Sequence, residues 1–120
     1  MRLSEAILLG SVGTGQAFGE YVDKKGNTCA LGAALCAIGK LTDLSEYTIN
    51  LGLAWPYHKM SCIHPIAGIK MSMVHIITHL NDIEGWSRPQ IAAWVAEQEV
   101  RLGLDKEEQV GVKESEYARP

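Results

Sequence analysis

The sequence has few aromatic side chains and no long hydrophobic run. Aromatic residues make up 7% of the 120 residues, with a single Phe, so aliphatic and methionine side chains are expected to fill the core. The longest apolar block, Ala30–Gly39, is about half of the 18–20 residues that a membrane-spanning helix needs. The opening residues contain Glu5 where a secretory signal needs apolar residues. We therefore expect a cytoplasmic protein with no membrane span.

The sequence also lacks an excess of positive charge. Eleven Lys and Arg stand against 14 Asp and Glu, a formal net charge of −3, and no basic cluster exceeds Lys24-Lys25. Such a chain is a poor binder of nucleic acid or anionic membrane. The segment 87–98 (SRPQIAAWVAEQ) resembles the first helix of a helix-turn-helix, but no recognition helix follows it. Gly13-Thr14-Gly15 lacks the Gly-Lys-Ser/Thr of a phosphate loop.

Cysteine is scarce, and its number is odd. Cys29, Cys36 and Cys62 are the three cysteines. Without a secretory signal, this count favours reduced thiols in a cytosol. Cys29 and Cys36 would lie about 10 Å apart along one helix, which is too far for a disulfide.

What is present predicts a mainly α, compact single domain around a buried central helix. Hydrophobic residues make up 47% and charged residues 21% of the chain, as in ordinary globular domains. The predicted central helix, Cys29–Ile38 (CALGAALCAI), follows a cap at Thr28, stops at Gly39 and is apolar on every side. A helix without a polar face is buried.

The remaining elements are placed around this helix. Residues 1–103 are predicted to form the domain and residues 104–120 a charged, flexible tail. At most a small β element is expected near residues 17–28, and residues 57–69 are expected to be irregular. The other predicted helices are Ser4 (N-cap) to Leu9, Asp43 or Ser45 (N-cap) to Leu53, residues 70–82, and residues 88–102.

Two of these helices carry clear local signals. One predicted helix turns an apolar stripe inward and a polar stripe outward. Its inward residues are Ile69, Met73, Ile76, Ile77 and Leu80, and its outward residues are Ser72, His75, His79 and Asp82. In the other, Ser87 and Gln90 are spaced as in a capping box, with Pro89 in the first turn. Its inward residues are predicted to be Ile91, Trp94, Val95 and Leu102.

Cys29 is a candidate nucleophile because it would lie in the first turn of the central helix. Backbone N–H groups there stabilise a thiolate and lower the thiol pKa. The base would be a histidine, with His75 and His79 as first choices and His58 and His64 as others. Asp82 or Asn81 would orient that base. The alternative is that Cys29 is a small buried residue that packs well.

A metal site is a weaker hypothesis. His75 and His79, four residues apart, can project from one helix face toward zinc. Ile76 stands where a zincin has Glu, and although Cys62 and His64 could add ligands, no second paired motif is present. We therefore expect no metal and no cofactor, and a solvated polar stripe explains the two histidines.

An irregular segment with crowded aromatics suggests a binding surface. Trp55, Tyr57 and Met60 could form a patch that contacts a partner, or they could fold back over the core. Asn81 is a further binding candidate.

Three stretches together carry a resemblance: residues 15–28 (GQAFGEYVDKKGNT), residues 29–33 (CALGA), and Asn81-Asp82 followed by Gly85-Trp86-Ser87 and a helix. The chain resembles, over about residues 4–100, a family of small uncharacterised bacterial and phage domains. The resemblance implies no particular activity, but it marks Cys29, Asn81 and Asp82 as positions of interest. The middle segment, Tyr57–His79, is longer than in that family and richer in His and Met.

Two functions remain open from the sequence. The first is a small cytosolic protein-interaction module, phage-derived on the resemblance, whose partner is another protein or a second copy of itself. The second is a thiol-dependent hydrolase or transferase that uses Cys29 with a histidine base.

Overall fold

A computed structural model describes residues 1–41 and 46–104 of the chain. It confirms a compact, mainly α single domain with a small two-stranded antiparallel sheet. No described helix is long and apolar enough to cross a bilayer. In chain order, the described elements are α1 (Leu3–Ser11), α2 (Ala30–Ala37), α3 (Tyr47–Ala54), a 3-10 helix (Pro56–Lys59), β1 (Ser61–Ile63), β2 (Lys70–Ser72), α4 (Met73–Asp82) and α5 (Arg88–Arg101).

Helix α2 occupies the centre, as the apolar sequence predicts, but only its first six residues are fully buried. Cys36 is exposed near the end of the helix, and Gly39, with φ of 71°, follows it in the left-handed conformation. Helix α1 packs very closely on α2: a Cβ added to Gly10 would lie 1.7 Å from the Ala33 carbonyl oxygen. Gly10 is therefore required for this contact.

The loop between α1 and α2 wraps over the N-terminal end of α2. A Cβ on Gly32 would lie 2.0 Å from the Tyr21 carbonyl oxygen, so the loop backbone touches the helix backbone. Near residues 17–28, where at most a small β element was predicted, the structure has isolated bridges and no regular strand. The backbone of Thr28 makes isolated bridges to both Gln16 and Val22.

The hairpin lies instead in the segment that was expected to be irregular. Strands β1 and β2 pair with Cys62 opposite Met71. The turn between them closes with an N–H from His64 to the Ile69 carbonyl and one from Gly68 to the His64 carbonyl, both 2.9 Å. Because residues 70–72 pair as β2, α4 begins at Met73 and not at residue 70.

Helices α4 and α5 confirm most of the predicted inward faces. In α4, Met73, Ile76, Ile77 and Leu80 are buried, whereas Ile69 lies before the helix and is exposed. In α5, the buried apolar residues include the predicted Ile91, Trp94 and Val95.

Some helix ends lie where the sequence predicted them, and others do not. The capping box of Ser87 and Gln90 is confirmed. The cap of α1 is Arg2 and not Ser4, because Ser4 lies inside the helix and is buried against α5. The caps predicted for α3 at Asp43 or Ser45, and the tail from Asp105 onward, lie outside the described residues.

Candidate functional site

Cys29 lies at the N-terminal end of α2, one position before the first helical turn. It is the N-cap residue, and its Sγ accepts the Gly32 N–H at 3.3 Å. Burial raises the pKa of the Cys29 thiol; the N–H groups of Gly32 and Leu31 oppose this shift, and the Asp82 carboxylate adds to it. The thiol therefore stays protonated near neutral pH, whereas a nucleophile must be a thiolate.

Asn81 is buried beside Cys29 and uses all of its hydrogen-bonding capacity within the protein. Its Oδ1 accepts from the Ala30 N–H at 3.1 Å and from Gln16 Nε2 at 2.9 Å. Its Nδ2 donates to the Ala17 carbonyl at 2.9 Å and to Asp82 Oδ1 at 2.7 Å. These four bonds exhaust an amide side chain. Asn81 thus joins α4, α2 and the loop after α1.

Asp82 completes this arrangement at the surface. Its Oδ1 also accepts the Gly19 N–H at 2.9 Å. Asp82, Thr78 and Cys29 share a cleft of about 20 Å³, in which no histidine takes part. A space of this size holds about one water molecule, so this cleft is too small to hold a substrate beside the Cys29 sulfur.

The two histidines predicted as bases have other partners. His75 Nδ1 is 2.8 Å from Ser72 Oγ, the N-cap of α4. His79 Nδ1 is 2.8 Å from His64 Nε2, and the two rings meet edge to face with centroids 4.7 Å apart. The structure therefore brings Cys29 and Asp82 together but engages both predicted bases elsewhere.

The His64–His79 pair has the wrong proton arrangement for a metal. His64 Nδ1 accepts the N–H groups of Ile66 at 3.1 Å and Ala67 at 2.9 Å, so its ring proton must be on Nε2, facing His79. A metal-ligating histidine has the opposite arrangement, with its other ring nitrogen donating. Glu84 Oε2 lies 3.8 Å from His79 Nδ1. Over residues 1–41 and 46–104, no cluster of three His, Cys, Asp or Glu side chains could hold a metal ion.

Of the three residues proposed for a surface patch, only Met60 is clearly exposed. Trp55 is 2% exposed, and its Nε1 donates to the Met1 carbonyl at 3.0 Å. Tyr57 is half-buried; its hydroxyl accepts the Leu3 N–H at 2.9 Å and donates to Glu99 at 2.5 Å. The aromatic rings thus fold back onto α1 and α5, which was the alternative interpretation.

An exposed apolar face appears nearby, on the hairpin. Met60, Ile63, Ile66 and Ile69 are 42%, 45%, 55% and 57% exposed, respectively. We call these four side chains the hairpin face. Cys62 and His64, on either side of Ile63 along the strand, are buried and fix the segment to the domain.

Sequence reasoning missed two buried charges on α5. Arg88 is 6% and Glu99 is 0% exposed. A signal was present, because residues 88, 91, 95 and 99 follow the spacing of one helix face, and Ile91 and Val95 on that face were expected to point inward. Buried Arg and Glu residues are rare, so helical spacing alone does not predict that these two side chains are buried.

Comparison of the chain with protein-family models, curated proteins and solved structures gave no match. The resemblance to small bacterial and phage domains therefore stays a prediction, and the function has to be argued from the geometry.

Proposed function

We propose that this protein is a small cytosolic interaction module that binds a partner strand along the outer edge of β1, and that its partner is a second copy of the same chain. The observation that carries the proposal is a set of unpaired backbone groups on β1 beside the hairpin face.

The outer edge of β1 presents free backbone groups. Hydrogen-bonded and non-hydrogen-bonded pairs alternate along an antiparallel ladder. The Met73 N–H donates to the Met60 carbonyl at 2.8 Å, and the His64 N–H to the Ile69 carbonyl at 2.9 Å, so the pairs at positions 60, 62 and 64 of the first strand are the bonded ones. Ser61 and Ile63 then direct their N–H and C=O groups away from β2. Neither bonds to another group in the described part of the chain.

The two edges of the hairpin differ in how well they are protected against pairing with another strand. Lys70 is exposed on β2, and a charged side chain on an edge strand is a common device against unwanted pairing. Strand β1 reads Ser-Cys-Ile and carries no charge. Strand addition is therefore expected on β1.

The side chains around this edge favour a protein partner. The hairpin face surrounds β1 with exposed apolar atoms, and burial of apolar surface contributes about 25 cal/mol per Å². The exposed Leu8, Leu9 and Val12 on and after α1 are also apolar. Helix α1, however, satisfies its own backbone groups and offers no hydrogen bonds of this kind.

A second copy of the chain is the natural occupant because an antiparallel edge is self-complementary. A two-fold axis through Cys62 would place Ser61 opposite Ile63 of the second copy, and each such pair exchanges two hydrogen bonds. Two-fold dimers are the commonest symmetric assemblies. The exposed Ile63 side chains of the two copies would lie on the same side of the joined sheet, flanking this axis.

The test is sedimentation velocity of the whole chain from about 1 µM to about 1 mM, a range that covers weak and ordinary dimers. We expect a concentration-dependent dimer, together with slowed exchange of the Ser61 and Ile63 amide protons in the dimer. Ile63→Lys should abolish both effects, because it removes an exposed apolar side chain and places a charge on the edge strand, directly opposite Lys70 of β2.

Leu53→Lys is the matched control, because Leu53 is 76% exposed on α3, outside the hairpin. It should dimerise as the parent chain does. A chain that stays monomeric over the whole range, or a dimer that survives Ile63→Lys, contradicts the proposal.

A further inference from the structure

A groove of about 480 Å³ opens on another side of the domain, between α2, α3 and α4. Its volume falls within the range of small-molecule sites. The apolar part of its wall comes from Leu31, Leu51 and Val74, and the polar part from Tyr21, Thr48, His58, Lys59, Ser72, His75 and Thr78.

His58 contributes a buried polar atom that lacks a partner. The residue is 5% exposed, and its Nδ1 lies 3.0 Å from the Trp55 carbonyl oxygen. A carbonyl only accepts, so the Nδ1 atom carries the proton and the Nε2 atom of the neutral ring is an acceptor. No group in the described residues donates to it. A buried acceptor without a donor is unfavourable by about 1–3 kcal/mol, and a hydroxyl in the groove would satisfy it.

The charges of the groove have one sign. Lys59 is the only formally charged residue at neutral pH among the described lining residues, and none of those residues is acidic. Burial raises the pKa of Tyr21, more than the hydrogen bond from the Thr48 side chain lowers it, so the phenol also stays uncharged. An anion is therefore not repelled by the wall, although the whole chain carries a net charge of −3.

The groove also offers neutral polar groups at fixed positions. The Ser72 hydroxyl, 2.8 Å from His75 Nδ1, can donate to that nitrogen. The Nε2 atom of His75 then carries a proton and becomes a donor. Thr78 Oγ1 donates to the Val74 carbonyl at 3.1 Å, which leaves its lone pairs free to accept. These groups match the alternating donors and acceptors of a polyhydroxylated molecule.

We propose that this groove binds a small polyhydroxylated molecule with one oxyanion, a sugar phosphate or a sugar acid. The Lys59 ammonium binds the oxyanion, a ligand hydroxyl donates to His58 Nε2, and the carbon skeleton lies against Leu31, Leu51 and Val74. This site is separate from the edge of β1 and does not depend on dimerisation.

The experiment is an NMR titration of the isotope-labelled full chain with ribose 5-phosphate, ribonate, ribose and inorganic phosphate. We expect saturable shifts of the amide signals of His58, His75 and Thr78 with one or both of the first two probes. Ribose and inorganic phosphate should each bind at least about tenfold more weakly, since each lacks half of the contacts. The comparison of ribose 5-phosphate with ribonate tells whether the anion is a phosphate or a carboxylate.

Lys59→Gln should weaken binding of the anionic probes about tenfold, whereas the matched control Lys25→Gln, on the exposed turn between α1 and α2, should not. The proposal is overturned if neither ribose 5-phosphate nor ribonate gives saturable shifts at these residues. It is also overturned if ribose binds as well as ribose 5-phosphate, or if Lys59→Gln has no effect.

Discussion

The two ends of helix α5 each bury a charged side chain, and the two charges are held in different ways. Near the start of the helix, Arg88 donates to Thr14 Oγ1 and Thr28 Oγ1, both at 2.8 Å, and to the carbonyls of Ser11, Thr14 and Thr28. Near the end, Glu99 accepts from the Ser4 N–H, the Ser4 hydroxyl and the Tyr57 hydroxyl. Neither residue forms an ion pair with another described residue.

The difference lies in what each charge holds together. Glu99 joins regular elements, since Ser4 is inside α1 and Tyr57 is in the 3-10 helix. Arg88 gathers a segment with only isolated bridges, between α1 and α2. That segment buries few apolar side chains. Hydrogen bonds to the Arg88 guanidinium, and not hydrophobic packing, therefore hold it in place. Burial lowers the pKa of Arg88, but a guanidinium stays charged in proteins.

The largest effect is expected from Arg88→Met. This change keeps an unbranched apolar stem but leaves at least three carbonyl and two hydroxyl groups without their donor. Hydrogen bonds to a charged group contribute about 1.5–3 kcal/mol each, so the free energy of unfolding should fall by at least about 3 kcal/mol. Urea unfolding measures this loss.

The companion variant is Arg88→Lys. It keeps the charge but has three donors on a single atom, and it cannot reach partners on both sides as a planar fork can. We expect it to recover less than half of the loss. Full recovery would show that charge, and not the fork geometry, holds the loop.

A smaller effect is expected from Glu99→Gln. The amide keeps the shape and one acceptor oxygen, and the hydroxyls of Ser4 and Tyr57 can rotate to accept from its nitrogen. The free energy of unfolding should fall by about 2 kcal/mol, less than for Arg88→Met. Urea unfolding again provides the measurement, with Glu97→Gln, exposed on the same helix, as the control. If Glu99→Gln lowers the free energy of unfolding more than Arg88→Met does, then Glu99 and not Arg88 contributes more to stability, which contradicts the expected order.

The smallest effect concerns reactivity rather than stability. Cys36 is exposed, whereas Cys29 is half-buried with a raised thiol pKa, because burial disfavours its thiolate. Alkylation of the native protein at neutral pH should therefore modify Cys36 first. Because the pKa of the folded Cys29 thiol is raised, the thiol ionises above the ordinary cysteine pKa of about 8.5. The alkylation rate at Cys29 should therefore keep rising as the pH passes this value.

The same labelling experiment separates the two ends of α5. In Arg88→Met the loop over Cys29 loosens, and its alkylation should accelerate toward that of Cys36. In Glu99→Gln the rate at Cys29 should stay as in the parent chain. Fast modification of Cys29 in the parent chain at neutral pH would contradict this account and would favour the thiol-dependent enzyme.

The parts of the fold that were predictable depend on neighbours in the sequence. The capping box needs only Ser87 and Gln90, and the inward stripe of α4 needs only its own periodicity. The hairpin was missed because each strand has three residues, too few for a visible alternation. Its turn also depends on the His64 ring, which accepts two backbone N–H groups that no propensity describes.

The candidate sites were less predictable. Cys29 and Asp82 were singled out and do lie together. Trp55 was a candidate for a surface patch or for the core, and the structure buries it, with its indole donating to a carbonyl 54 residues away. The groove and the free edge of β1 were not foreseen, because each is a space between elements and not a property of one segment.

The sequence by itself determined which segments are helical and most of the apolar side chains that point inward, because these follow from contacts within a few residues. Only the tertiary structure decided which polar side chains are interior. The partners of Arg88, Glu99 and Asn81 are up to 77, 95 and 65 residues distant. Hydrogen bonds over such separations leave no periodic pattern in the chain, since they depend on folded elements meeting in space.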